Sequence, residues 1–473
     1  MIHKLEQFFK SNKYLLSISI VTFLLWFINI DSIGPKPSFD ILEIIGISVF
    51  ALIISLSLVL FKETIYTFPP LIMSIIMLSN QNMGMTTLNE LWIFYIVLVV
   101  VIASFIYHMV HFKVKFKLGA LGIGLLIVSL AYLLSLSGYF LDQKPFEFSV
   151  IFISLMGLIY FLIYAFFKNT SSHTNIQYIF KVFYYLTFII ILQTFVMITF
   201  YFIDNAHLGS FTDLIKLGIE ERWGYIKDGF FIRLNVGWGL GNNIGGVLAY
   251  LLPIQMYELF KSKNIKSIIL HLFTLFLTGI TIFLTTSRGA YLGVLAFFIL
   301  FMIGFIKFVK LDYKKYKKLI LGSVITLSII LIPVLIFGVQ FMAKFMENST
   351  FLNGREEDWG DAIKYFLEYP IFGKSWYSDT WEIHSFRSYH NTILHTLATM
   401  GIFGLLALIY HHVELVRLFI KKWSLESFIV ISMLVITHVH GLVDNTYYAP
   451  MHMIPLLILY VSLENHQKEN LLS

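Results

Sequence analysis

Arg233, Arg288 and His390 are the residues of this chain whose types and positions could do chemistry together. Arg233 stands just before the apolar run 236–260, Arg288 occupies the tight turn 284–290 between two apolar runs, and His390, followed by Asn391, opens the run 392–413. A guanidinium stays charged and offers a planar fork of donors that matches phosphate oxygens. Helix N-termini add N–H groups with the same electrostatic preference. Two Arg side chains and helix starts facing one cavity would hold a diphosphate, and a neutral His beside them could take the proton of an attacking hydroxyl. Those are the components of glycosyl transfer from a lipid diphosphate, where charge grows on the leaving group. Each residue has a plainer reading alone: an Arg snorkelling to headgroups, or a His beside a helix cap. The chemistry therefore depends on whether the chain brings them to one face.

The elements that must do so are membrane helices. Of 473 residues, 58% are hydrophobic and only 13% charged, and mean hydropathy is +0.79. This is the composition of an all-α polytopic membrane protein. The absence of Cys excludes disulfides, thiolate metal sites and a Cys nucleophile. A net charge of +6 reports Lys and Arg held on the cytoplasmic side rather than affinity for nucleic acid. The first apolar run is long and lacks a small-residue exit, so it reads as a span and not as a cleaved leader.

The apolar runs are 14–30, 41–61, 65–78, 91–110, 118–139, 148–167, 182–203, 236–260, 268–284, 290–308, 319–339, 392–413, 427–443 and 451–463, which predicts about fourteen transmembrane helices, within 12–14. The third is short and opened by Pro69-Pro70, so a re-entrant or tilted piece is its alternative reading. With the N-terminus cytoplasmic, 22 of the 34 Lys and Arg residues fall in cytoplasmic segments and three, Lys36, Lys144 and Arg288, in short external loops. The other nine lie in the long loops 204–235 and 340–389, where the charge rule has little force. Both termini are thus expected inside, and Arg233, Arg288 and His390 outside. Losing the third span would invert everything after it.

The chain divides into 1–203 (helices 1–7), an external loop 204–235, 236–339 (helices 8–11), an external loop 340–390, and 391–473 (helices 12–14 and a tail). In the second loop Asp358, Ile363, Phe366 and Leu367 have amphipathic-helix spacing that stops before Pro370, suited to the membrane interface. Gly237–Gly241 is no phosphate loop, since no strand precedes it. His438 and His440, near Asp444, have alternate spacing that faces two sides of a helix, so a metal site there is disfavoured. His411-His412 and Lys314–Lys318 read as cytoplasmic topology determinants and anionic-lipid contacts.

Thr286-Ser287-Arg288-Gly289-Ala290 before a span, and His390-Asn391 followed by Leu394 and Met400-Gly401-Ile402-Phe403-Gly404, resemble paired signatures of the O-antigen ligase and polysaccharide polymerase superfamily. Arg233 with Asn242-Asn243 is similar to that family's Arg and Asn-rich approach to the preceding span, and Gly354-Arg355, Trp359, Ala362 and Pro370-Ile371-Phe372-Gly373 to its external loop. The chain departs from the pattern at Gly241-Asn242-Asn243, where the family often has Asn-Pro-Asn, and at Gly373-Lys374-Ser375, where it often has Gly-x-Gly. The resemblance implies a GT-C-like, metal-independent, inverting glycosyltransferase of the bacterial cytoplasmic membrane, without cofactor. It implies an undecaprenyl-diphosphate-linked glycan donor and a glycan acceptor as partners, with possible association with other polysaccharide-assembly proteins. On that basis Arg288 and Arg233 bind the diphosphate, His390 handles the acceptor hydroxyl, and Arg355, Asn391, Asn243 and Ser287 place substrate. A polymerase of repeat units leads, and a ligase or an oligosaccharyltransferase would use the same donor machinery. A transporter of lipid-linked sugars would want carboxylates in mid-span and pseudo-symmetric halves, and the runs are nearly free of Asp and Glu.

Overall fold

The computed structural model describes residues 2–30, 33, 41–77, 92–141, 148–171, 176–227, 230–232, 234–308, 355–376, 389–421, 423–445 and 447–472. In chain order the helices are α1 (Ile2–Phe9), α2 (Asn12–Ile28), α3 (Ile41–Leu60), α4 (Phe68–Met77), α5 (Trp92–His111), α6 (Gly122–Leu134), α7 (Leu136–Leu141), α8 (Phe148–Thr170), α9 (Ile176–Asp204), α10 (Phe211–Glu220), α11 (Gly241–Lys261), α12 (Ile265–Leu284), α13 (Arg288–Phe308), α14 (Arg355–Glu368), α15 (Thr392–Lys421), α16 (Leu425–Gly441) and α17 (Pro450–Leu472). A backbone surrounded by hydrocarbon has no water to bond, so apolar runs of this length close their bonds internally as helices. Polar residues mark the starts: Ser11, Asn264 and Ser424 accept from the N–H groups of Tyr14, Ser267 and Ser427. The helical membrane architecture is the expected one, with a short antiparallel hairpin of β1 (Tyr225–Lys227) and β2 (Phe230–Ile232) added in the first long loop. Six of the described helices are long and apolar enough to cross a membrane, or seven if the bent pair α1–α2 is one span, and several shorter apolar helices accompany them. The run 319–339 lies outside the described residues.

The short third run has a specific place. After a 3-10 turn at Thr64–Thr67, α4 runs back along α3 until Met77 meets Gly46. Its Ile76 carbonyl accepts from Gln193 Nε2 at 3.1 Å, and Gln193 Oε1 accepts from Trp238 Nε1 at 2.9 Å. Gln193 is 17 residues into α9, about 25 Å along its axis at 1.5 Å per residue. The segment 64–77 therefore spans most of the bundle's depth despite its brevity, which supports the alternation of sides.

Contacts sort the loops onto two ends. Lys168 pairs with Glu464 at 3.2 Å, Tyr178 donates to the Phe9 carbonyl, and Lys261 approaches Glu426 at 3.8 Å, all from segments read as cytoplasmic. At the other end Trp26 Nε1 donates to the Val236 carbonyl and Trp223 Nε1 to the Leu284 carbonyl. Small residues bring α11 and α13 together there: Gly245 faces Ser287 and Ala290, and Gly293 faces Ala249.

α15 is broken at Gly401, with φ 64° and ψ −163°. The break frees main-chain groups, and the chain segment after α14 satisfies them. Ile402 and Phe403 N–H donate to the carbonyls of Pro370 and Ile371, while Lys374 and Ser375 N–H donate to those of Ala398 and Thr399, at 2.8–3.1 Å. A Cβ at Gly401 would meet the Ile371 carbonyl, and one at Gly373 (φ 73°) the Thr399–Met400 backbone. Gly401→Ala is expected to lower the detergent melting temperature and membrane abundance, because the φ alone costs on the order of 1–3 kcal/mol before any overlap. An unchanged melting curve would show that the strap does not hold the break.

Candidate active site

The turn that carries Arg288 is built by a cap and a strained residue. Thr286 adopts φ 53°, and the buried Ser287 Oγ accepts from the Ala290 N–H at 3.3 Å, capping α13. Ser287 thus has a structural task beside the substrate-binding one the sequence led us to expect. Arg288 follows, half-buried, and the charges of Arg222 and Arg355 both act on it. Arg355 opens α14, whose Ala362 and Tyr365 pack on Tyr389, Leu394 and Ala398, so the helix seats on α15 through small and aromatic residues. Ile363 and Leu367 point away, 50% and 71% exposed, which leaves these two apolar residues of the predicted amphipathic helix turned outward. Lys374 is buried and lies over the Tyr365 ring at 4.0 Å.

His390 adopts φ 47° at the mouth of α15. Its Nδ1 lies 3.1 Å from Asp444 Oδ1, in the loop after α16, and Asp444 also accepts from the Asn445 N–H. Burial pushes the Asp444 carboxyl up, but the hydrogen bond from His390, the neighbouring His440 and His390 charges and the Asn445 N–H outweigh it and hold it at about 2. A carboxylate there takes the Nδ1 proton of a neutral imidazole and leaves the lone pair on Nε2. Asn391 caps α15 through Oδ1, accepting from Ile393 and Leu394 N–H, while its Nδ2 donates to the Leu442 carbonyl at 3.0 Å. It locks His390 to the end of α16. Asn243 stands half-buried in the first turn of α11. Arg233 lies outside the described residues, and its neighbour Leu234 exchanges bonds with Arg222 and Gly241.

His440 is wedged between α11 and α13, where a Cβ at Gly246 or Gly289 would run into its ring. Neither ring nitrogen has a hydrogen-bond partner among the described residues, and the charges of Asp444 and Arg355 act on it. A buried unpaired polar group costs about 1–3 kcal/mol. That expense sits directly under the Arg288 turn.

Asp444, His440 and Arg222 are not among the site residues the sequence predicts, where His440 and Asp444 enter only as a disfavoured metal site. His438 and His440 do face different sides: His438 Nε2 lies 2.6 Å from His412 Nε2 and its ring stacks on Tyr447. Among the described residues no group of three or more His, Asp or Glu could hold a metal ion. The expectation that His411-His412 is a cytoplasmic lipid contact is corrected, since His411 is fully buried and His412 pairs inside the bundle.

The described structure is that of a helical membrane protein whose clustered Arg charges and carboxylate-oriented His meet at one end of the bundle. Residues 273–409 match the family described as O-Antigen ligase, which supports the resemblance to the O-antigen ligase and polysaccharide polymerase superfamily that the motifs carry. No curated protein matches.

Proposed function

We propose that the protein polymerises cell-surface polysaccharide, joining undecaprenyl-diphosphate-linked repeat units on the external face of the bacterial cytoplasmic membrane. The observation that carries this reading is the His390–Asp444 pair beside the Arg288, Arg222 and Arg355 charges. His390 Nε2 takes the acceptor hydroxyl proton as the oxygen attacks the anomeric carbon. The bond from that carbon to the diphosphate oxygen breaks on the opposite face, so the configuration inverts, and the electron pair leaves with undecaprenyl diphosphate. Arg288 and Arg233 counter that charge, and Arg355, Asn391, Asn243 and Ser287 place the substrates. No step needs a metal or cofactor. Both termini are then cytoplasmic, in line with the segregation of the Lys168–Glu464 end from the Arg288 end.

The name of the matching family, O-Antigen ligase, favours a second reading, a ligase that moves a finished glycan to another acceptor. Purified protein in liposomes, supplied only with lipid-diphosphate-linked repeat units, is expected to produce a ladder of lengthened lipid-linked glycans. If products form only after a different acceptor is added, the ligase reading replaces the polymerase. No transfer with any acceptor, at normal folding, sinks both.

A further inference from the structure

Resting on the glycosyl-transfer reading above, we infer that a sugar ring of the glycan substrate binds beside His390, among Thr392, His395, Ser375 and Trp376. Thr392, His395 and Thr399 recur at helical spacing, so they share one face of α15. The chain after α14 crosses that face. The Ser375 N–H donates to the Thr399 carbonyl at 3.0 Å, and the Trp376 ring meets the His395 ring edge-on, 4.5 Å between centroids. Tyr389 and Tyr448 flank His395 at 5.7 and 6.3 Å, and Tyr132 of α6 stacks on Trp376 at 5.2 Å. Segments far apart in the chain thus bring aromatic rings around one imidazole. Tyr389 immediately precedes His390, whose charge acts on His395, so the cluster adjoins the proposed base.

The polar atoms of this cluster are ones the fold leaves unused. Both ring nitrogens of His395, Trp376 Nε1, Ser375 Oγ and Thr392 Oγ1 are buried with no hydrogen-bond partner among the described residues. His395 is 1% exposed and Trp376 8%. A buried polar group without a partner costs stability that an apolar group of the same shape would not, and folded proteins hold few of them. Five such atoms on four neighbouring side chains call for a ligand, and their chemistry selects its class. A neutral imidazole offers one donor and one acceptor, each hydroxyl offers both, and the indole N–H donates. That set suits vicinal hydroxyls, which also donate and accept, while the surrounding rings suit the C–H face of a pyranose. None of the four side chains is a fixed charge, which argues against a phosphate. The polar atoms are covered in this arrangement, so the sugar enters by displacing the Trp376 ring, which a non-helical segment carries, and the site closes on the substrate.

His395→Phe keeps a ring of similar shape and removes both nitrogens. Thr392→Val removes one hydroxyl at constant volume, and it carries the test should the phenylalanine fit badly. In nanodiscs His395→Phe is expected to keep or raise the melting temperature, and to raise KM for lipid-diphosphate-linked repeat units by about 10-fold with a much smaller fall in kcat. Thr392→Val should raise KM by about 3-fold. The lipid-free oligosaccharide released from those units by mild acid should raise the melting temperature of the wild type and raise it less in either variant, while undecaprenyl diphosphate stabilises all three alike. Unchanged KM and unchanged stabilisation by the oligosaccharide in both variants would overturn the inference, as would losses of activity that track falls in melting temperature in both. A wild type that the oligosaccharide does not stabilise would overturn it too, and would leave the donor-site reading standing if undecaprenyl diphosphate still binds. If the variants lose oligosaccharide binding in a protein that transfers nothing, the sugar site stands and the glycosyl-transfer reading falls.

Discussion

Turnover in a His390→Gln protein is expected to fall by on the order of 10²–10⁴ with membrane abundance unchanged, because Gln can bond the acceptor hydroxyl but cannot take its proton at useful pH. Asp444→Asn should fall by a comparable factor while leaving the site's shape intact. The carboxylate sets which imidazole nitrogen carries the proton, and an amide can present its NH2 to Nδ1 and move that proton to Nε2. Asp444 itself adds no pH dependence in the working range, since its carboxyl is held at about 2 and stays ionised there. Rates measured against pH in proteoliposomes decide the matter: near-normal turnover in His390→Gln with an unaltered profile would make His390 a positioning residue. Proton removal would then pass to water or to a carboxylate of α14 such as Glu356, Glu357, Asp358 or Asp361.

Arg288→Ala should abolish polymer formation, and Arg288→Lys should lose most of it. Lys provides a point charge but not the two parallel N–H donors that fit a phosphate edge. Neither change should harm the fold. Arg288 is the first residue of α13, where the helix dipole disfavours a cation, so its removal relieves the N-terminus. Wild-type polymer length in Arg288→Ala cells, with the protein present at normal level, would remove Arg288 from the mechanism.

The parts of this molecule legible in the sequence are those where a polar residue interrupts hydrocarbon. Arg288 between two apolar runs and His390-Asn391 at the start of another stand out because a charge there is expensive. The partner of His390 was hidden, since Asp444 lies 54 residues away and becomes its neighbour only when α15 and α16 pack. Arg222 carries no local signal, being one charged residue among several in a polar loop. His411 was misplaced for a geometric reason. The apolar run ends at residue 413, which puts His411 at its edge, but the helix continues to Lys421 and carries His411 inside the bundle. A glycine at φ 64° cannot be told by type from the many glycines that simply pack.

The strap across that break is read entirely by main-chain atoms. Four N–H groups and four carbonyls join residues 370–375 to 398–403, and none of these bonds inspects a side chain. What the junction demands of heredity is therefore narrow: hydrogen at the α-carbons of Gly373 and Gly401, where any Cβ would strike backbone. The positions around them are free to drift under other pressures, as Lys374 has done in taking up the Tyr365 ring. Distant relatives of this chain should accordingly share the spacing of two glycines more faithfully than the letters between them.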